Sequence, residues 1–141
     1  MNPYIIFNGN CREALARYQQ VLGAKLLFQT TWAESPMADQ TEGCNGGSAG
    51  ADAIMHATLQ LPDGSLLMAS DCPPEYFKPM QGFSLSVNAA SVEESERLFN
   101  GLSDGGQVTM PLEKTFWAER FGMCTDRFGT PWMVNCEMKA P

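Results

Sequence analysis

The chain has 141 residues, 44% of them apolar, and a net charge of −7. That length fits one domain or two small half-domains and buries roughly 68–70% of the unfolded surface, so neither a disulfide nor a metal is needed to hold a core. The negative charge excludes nucleic acid and anionic membranes as expected partners, because Lys and Arg drive binding to phosphates, and no apolar run reaches the roughly 18 residues of a membrane-spanning helix.

Residues 3–8 form a short β-rich run ended by Gly9. Ala14, Leu15, Tyr18, Val21 and Leu22 then recur at helical spacing and predict one apolar helix face. Asn10 is the expected N-cap, with Glu13 completing a capping box and Gly23 as the stop. Residues 24–33 read as a strand. Residues 34–52, rich in glycine, read as a long loop, either a lid or a disordered insert. Gly46-Gly47 lacks the Lys-Ser/Thr ending of a phosphate-binding loop. Residues 53–61 and 66–70 are strands joined by Pro62-Asp63-Gly64-Ser65, where Asp-Gly supplies the positive φ of a hairpin turn.

Residues 71–81, with Pro73, Pro74 and Pro79, read as a connector. Residues 82–88 alternate as a strand. Residues 91–102 form a helix capped by Ser91 with Glu94, and Val92, Ser95, Leu98, Phe99 and Leu102 face inward. Residues 107–114, 116–125 and 131–137 are three more strands. The region from Lys114 to Trp132 is dense in aromatics and charges, including Phe116-Trp117 beside Glu119-Arg120 and the run Asp126-Arg127-Phe128-Gly129-Thr130-Pro131-Trp132. Five cysteines, Cys11, Cys44, Cys72, Cys124 and Cys136, form no C-x-x-C pair. With no basic region and apolar run at the Met-Asn-Pro-Tyr start, they suit a reducing, cytoplasmic setting.

Both halves read strand, helix, three strands, and residue identities repeat as well. A shift of 80 carries Asn8, Glu13, Arg17 and Leu22 onto Asn88, Glu93, Arg97 and Leu102; a shift of 65 carries Gly64 and Met68 onto Gly129 and Met133, and His56 onto Phe121. The fold class is therefore α+β, with two pseudo-repeated β-α-β-β-β modules forming curved mixed sheets around a cleft. Module one is 1–71, the connector 72–81 and module two 82–141. One helix covers one face of each sheet, and the other faces would enclose the cleft, a common place for small ligands.

The arrangement resembles the vicinal oxygen chelate fold shared by glyoxalase I, bleomycin-resistance proteins and extradiol dioxygenases. The wording of Phe7-Asn8-Gly9-Asn10-Cys11-Arg12-Glu13-Ala14, His56-Ala57-Thr58-Leu59, Met68-Ala69-Ser70-Asp71, Gly82-Phe83-Ser84-Leu85-Ser86 and Met110-Pro111-Leu112-Glu113-Lys114-Thr115-Phe116-Trp117 resembles its PhnB-like branch. Some relatives carry a demethylubiquinone methyltransferase label, but no glycine-rich strand-to-helix turn suits a nucleotide-like methyl donor. The resemblance implies a divalent metal held by His, Glu or Gln from the first and last strand of each module. Threading puts Pro3 or Tyr4, Met68, Phe83 and Met133 at those places, and none is a carboxylate or imidazole. The expectation is no metal and no cofactor.

Candidate ligand-binding residues are His56, Met68, Phe83, Trp117, Glu119, Arg120 and Met133. His56 reads as a partly buried histidine with one hydrogen bond or as a pocket base that orients a ligand. Met68, Met133 and Phe83 are core filling or an apolar ligand floor. Phe116 and Trp117 would point to opposite faces of a strand. Glu119 and Arg120 are an exposed ion pair or the polar edge of a ligand site, and Cys124 and Cys136 read as inert core thiols. The leading expectation is a metal-independent, homodimeric small-molecule binder, for which binding alone can be the function. One alternative is a metal-dependent lyase, isomerase or dioxygenase with shifted ligands such as His56 with Glu119 or Asp71. Another is a non-catalytic association module.

Overall fold

A computed structural model of the chain describes residues 1–34 and 52–138. The loop read at 34–52 thus lies almost wholly outside the described residues. The chain divides into two compact units, Met1–Lys78 and Pro79–Pro141.

In unit one, β1 (Tyr4–Phe7), α1 (Cys11–Leu22), β2 (Lys25–Thr31), β3 (Ile54–Gln60) and β4 (Leu66–Asp71) follow in chain order. The sheet runs β1-β4-β3-β2, with β1 parallel to β4 and the other pairs antiparallel. A short 3-10 turn at Pro74–Tyr76 follows. Strand alternation sends Ile5, Phe7, Ala57, Leu59, Leu67 and Ala69 to one side, where they are buried with Ala14, Leu15, Tyr18, Val21 and Leu22 of α1. Each large apolar side chain removed from water there contributes about 1.5–3 kcal/mol. Gly23 ends α1 at φ +70°, the left-handed stop its sequence announces.

Unit two repeats the plan with β5 (Leu85–Ala89), α2 (Val92–Ser103), β6 (Gln107–Glu113), β7 (Ala118–Thr125) and β8 (Pro131–Glu137), in sheet order β5-β8-β7-β6. The inner face of α2 is Ser95, Leu98, Phe99 and Leu102, with Val92 half-buried. Gly122 lets α2 and β6 approach β7: a Cβ there would stand 2.8 Å from a Phe99 ring carbon and 2.9 Å from Leu112 Cα.

The repeat extends to the turns. Leu61 N–H donates to the Ser65 carbonyl and Gly64 N–H to the Leu61 carbonyl; 65 residues on, Asp126 N–H donates to the Thr130 carbonyl and Gly129 N–H to the Asp126 carbonyl. Gly64 at φ +90° and Gly129 at φ +94° close the two turns. Asp63 is not at positive φ; its carboxylate instead accepts from Ser65 N–H and Oγ.

Three expectations need correction. Asn10 makes no side-chain cap, its backbone lying at φ −113°, ψ 22°. The first strand of unit two begins at Leu85, so Phe83 precedes it. Phe116 and Trp117 precede β7, because Thr115 and Ala118 close a turn around them: Thr115 N–H donates to the Ala118 carbonyl and Ala118 N–H to Thr115 Oγ1.

Ser91 does cap α2. Its hydroxyl accepts from Glu94 N–H at 3.1 Å, and the Glu94 carboxylate accepts from Ala90 N–H at 3.4 Å. Ser91→Ala is therefore expected to lower stability by about 1 kcal/mol, and Asn10→Ala to change it by much less. Urea denaturation of the two variants checks the contrast.

Candidate functional site

Each sheet has one face packed by its helix and one face without a helix. On the helix-free face of unit one, cross-strand pairing lines up Phe28, Thr58, Met68 and Tyr4 in one row across all four strands. Phe28 is 52% and Tyr4 45% exposed. His56 lies two residues before Thr58, on the same face. Its Nε2 is 3.3 Å from Thr58 Oγ1 and its Nδ1 is 3.5 Å from Tyr4 Oη. The Tyr4 and Phe28 rings lie 5.7 and 6.0 Å from the imidazole, centre to centre. His56 thus has a hydroxyl at each ring nitrogen.

The matching row of unit two is Met110, Met123, Met133 and Ser86. Three thioethers stand side by side on its helix-free face. The next row is Glu113, Phe121, Asn135 and Asn88, in which Asn135 Nδ2 donates to Asn88 Oδ1 at 3.3 Å. Trp117, half exposed, reaches this face by an edge contact with Phe121 (5.5 Å) and also stacks edgewise on Phe116 (4.8 Å).

The candidate residues separate accordingly. His56 and Met68 share the face of unit one. Met133 sits in the methionine row, and Trp117 meets Phe121 beside it. Phe83 is 46% exposed ahead of β5, and the residue paired with Met133 on β5 is Ser86. Glu119 and Arg120 do not join the methionine row. Arg120 pairs with buried Cys136, and its guanidinium donates to the Glu119 backbone carbonyl at 2.6 Å. Glu119 lines a cavity of about 280 Å³ at the start of α2 with Ser91, Val92, Glu93, Cys136 and Glu137.

Sequence reasoning missed Phe28, Thr58, Ser86, Met110 and Met123.

The residues do not fit a divalent metal of the kind the fold implies. The paired first- and last-strand positions are Tyr4 with Met68 and Ser86 with Met133, and neutral thioethers and hydroxyls are poor ligands for a hard dication. Among the described residues, no group of three or more His, Cys, Asp or Glu side chains could hold a metal ion. The Asp71 carboxylate accepts from Cys11 N–H and Ile54 N–H, both at 2.9 Å, and is only 2% exposed. Asp71 alternates with Ser70 along β4 and faces the helix side, whereas His56 is on the opposite face, so the two cannot grip one ion.

Two of the buried thiols, Cys11 and Cys124, are held in the protonated form. Burial, aided by the Asp71 carboxylate, pushes the Cys11 thiol far up, and burial with Asp126 pushes Cys124 up to about 11. A folded thiol that holds its proton longer than the unfolded one adds stability that is complete below the ordinary thiol range and fades as pH rises from about 9 to about 11. Urea midpoints should fall through that window, and Cys124→Ala should make the fall shallower. An unchanged slope in the variant would contradict the assignment.

The sequence profile of the Glyoxalase/Bleomycin resistance protein/Dioxygenase superfamily matches residues 1–134. Protein YjdN of Escherichia coli (strain K12) is 40% identical over 144 residues, covering 100% of this chain and 97% of that protein. The crystal structure of PA1353 from Pseudomonas aeruginosa is 48% identical, with a TM-score of 0.85 over 99% of this chain and 98% of that one. The PhnB protein from Bacillus cereus, provisionally named a 3-demethylubiquinone-9 3-methyltransferase, has a TM-score of 0.77 at 22% identity over 96% of this chain and 98% of that one. Among the described residues no helix is long and apolar enough to cross a membrane. With two repeated β-α-β-β-β modules and a family match along nearly its whole length, the chain belongs to the glyoxalase/bleomycin resistance protein/dioxygenase superfamily, a small-molecule-binding fold, and resembles its PhnB-like members.

Proposed function

We propose that this chain binds a small molecule without a metal ion, on the helix-free faces of its sheets, and that it does so as a homodimer. The observation that carries the reading is the row Met110–Met123–Met133 with Ser86. Methionine is flexible and polarizable and adapts to apolar ligands of varied shape. The superfamily's metal-ligand positions here hold Tyr4, Met68, Ser86 and Met133, a set suited to contact with organic groups. Self-association is supported by the edge strand β6, which exposes Val108 and Met110 at 46% and 43%. Light scattering that gives a monomer mass at micromolar concentration would remove the dimer from the proposal.

The test combines metal and ligand measurements. Elemental analysis of purified protein should find no stoichiometric iron, nickel, manganese or zinc, and adding each ion should leave the melting temperature unchanged. Of the three tryptophans, Trp32 and Trp132 are buried and Trp117 is half exposed, so a compound screen read by tryptophan fluorescence reports mainly on Trp117. A binding compound should change that emission, and Trp117→Phe should abolish the change. Tightly held metal that His56→Ala releases would overturn the metal-free reading.

A further inference from the structure

The geometry points to Tyr4, His56 and Thr58 as a hydrogen-bond relay that binds an uncharged planar molecule through a carbonyl oxygen. This rests on the proposed function and names the ligand class for the face of unit one. A neutral imidazole has one N–H donor and one bare acceptor nitrogen. Here each ring nitrogen faces a hydroxyl: Thr58 Oγ1 at Nε2 (3.3 Å) and Tyr4 Oη at Nδ1 (3.5 Å). With the ring in its neutral form, one hydroxyl donates to it and the other accepts from it. When Thr58 donates to Nε2, Nδ1–H donates to Tyr4 Oη, and the Tyr4 hydroxyl hydrogen is turned away from the ring. Tyr4 is 45% exposed, so that hydrogen is available to an incoming acceptor.

The surroundings define what fits. Phe28 (52% exposed) flanks the imidazole at 6.0 Å, Tyr4 at 5.7 Å, and Met68 lies between Thr58 and Tyr4 in the row. Aromatic and thioether groups around one donor suit a flat apolar body with a single accepting oxygen. The side chains of the row and His56 include no Lys or Arg, and the chain carries −7 overall, so an uncharged acceptor is favoured over an anion.

Coumarin, planar with one carbonyl, and naphthalene, a hydrocarbon of similar area, are the probes. The chain has one histidine, so a long-range proton–nitrogen spectrum of the 15N-labelled full chain shows a single imidazole and reads its tautomer directly. Bound coumarin should fix the proton on Nδ1 and leave Nε2 bare. Coumarin should bind about tenfold more tightly than naphthalene, the effect of one hydrogen bond. Tyr4→Phe should bring the two affinities together; exposure of Tyr4 makes this variant safe to fold. Equal affinities in the wild type, an unchanged preference in Tyr4→Phe, or an imidazole protonated on Nε2 with coumarin bound would each overturn the relay while leaving small-molecule binding intact. Failure of both probes, and of every compound in the fluorescence screen, would overturn both proposals.

Discussion

Asp126→Ala is expected to destabilise the protein by about 3–4 kcal/mol, because three donors lose a charged acceptor at once. Oδ1 accepts from Phe128 N–H and Thr130 N–H, both at 2.9 Å, and Oδ2 accepts from the Trp132 indole N–H at 2.8 Å. Thr130 and Trp132 are essentially sealed from solvent, at 0% and 1% exposed, so water cannot replace the lost acceptor. Asp126→Asn keeps one oxygen for the turn but presents an amide donor to the indole donor, and should lose about half as much. The neighbouring Arg127–Asp104 pair (3.0 Å) is exposed on both sides, so Arg127→Ala should cost less than about 1 kcal/mol. Urea denaturation of the three variants gives the ranking. An Asp126→Ala loss no larger than that of Arg127→Ala would refute the account.

That result would also reinterpret the most conspicuous stretch of the sequence. The run from Asp126 to Trp132 looks like part of a binding wall because it mixes charge with aromatics. In the fold it is a turn clamp whose carboxylate and indole satisfy one another. The aromatics nearer a ligand face are Trp117 and Phe121, and Trp117 lies in a turn although its β propensity reads as strand.

What the sequence made legible was local or periodic. Helix faces, the Ser91 cap, the left-handed glycines and β8, at 131–137, all follow from spacings of a few residues. The two-module repeat was legible because identities and element order agree. The rows that make the candidate faces depend on register across four strands, which no short window contains. Phe28 joins Thr58 only past a bulge in β2, and a one-residue slip would have moved it to the other face. Met123 was hidden for a related reason, because its row partners come from three strands.

Asp71 is the clearest case of a residue whose role is set at long range, and its removal should cost about 3 kcal/mol. The two units cap equivalent helices differently. Unit two uses Ser91, next to α2. Unit one leaves Asn10 without a cap bond and brings in the Asp71 carboxylate, which accepts from Cys11 N–H in the first turn of α1, 60 residues away, and from Ile54 N–H at the start of β3. One buried anion thus pins the end of β4, the start of α1 and the start of β3, with the positive end of the helix dipole favouring its charge. Asp71→Ala leaves two buried N–H groups without an acceptor, whereas Asp71→Asn retains one acceptor and should lose less. A metal ligand would behave differently. If Asp71 held an ion, adding nickel or manganese would raise the wild-type melting temperature with ion concentration, and Asp71→Ala would erase that rise. The clamp assignment requires a large loss of stability in Asp71→Ala together with melting temperatures that ignore both ions in wild type and variant alike.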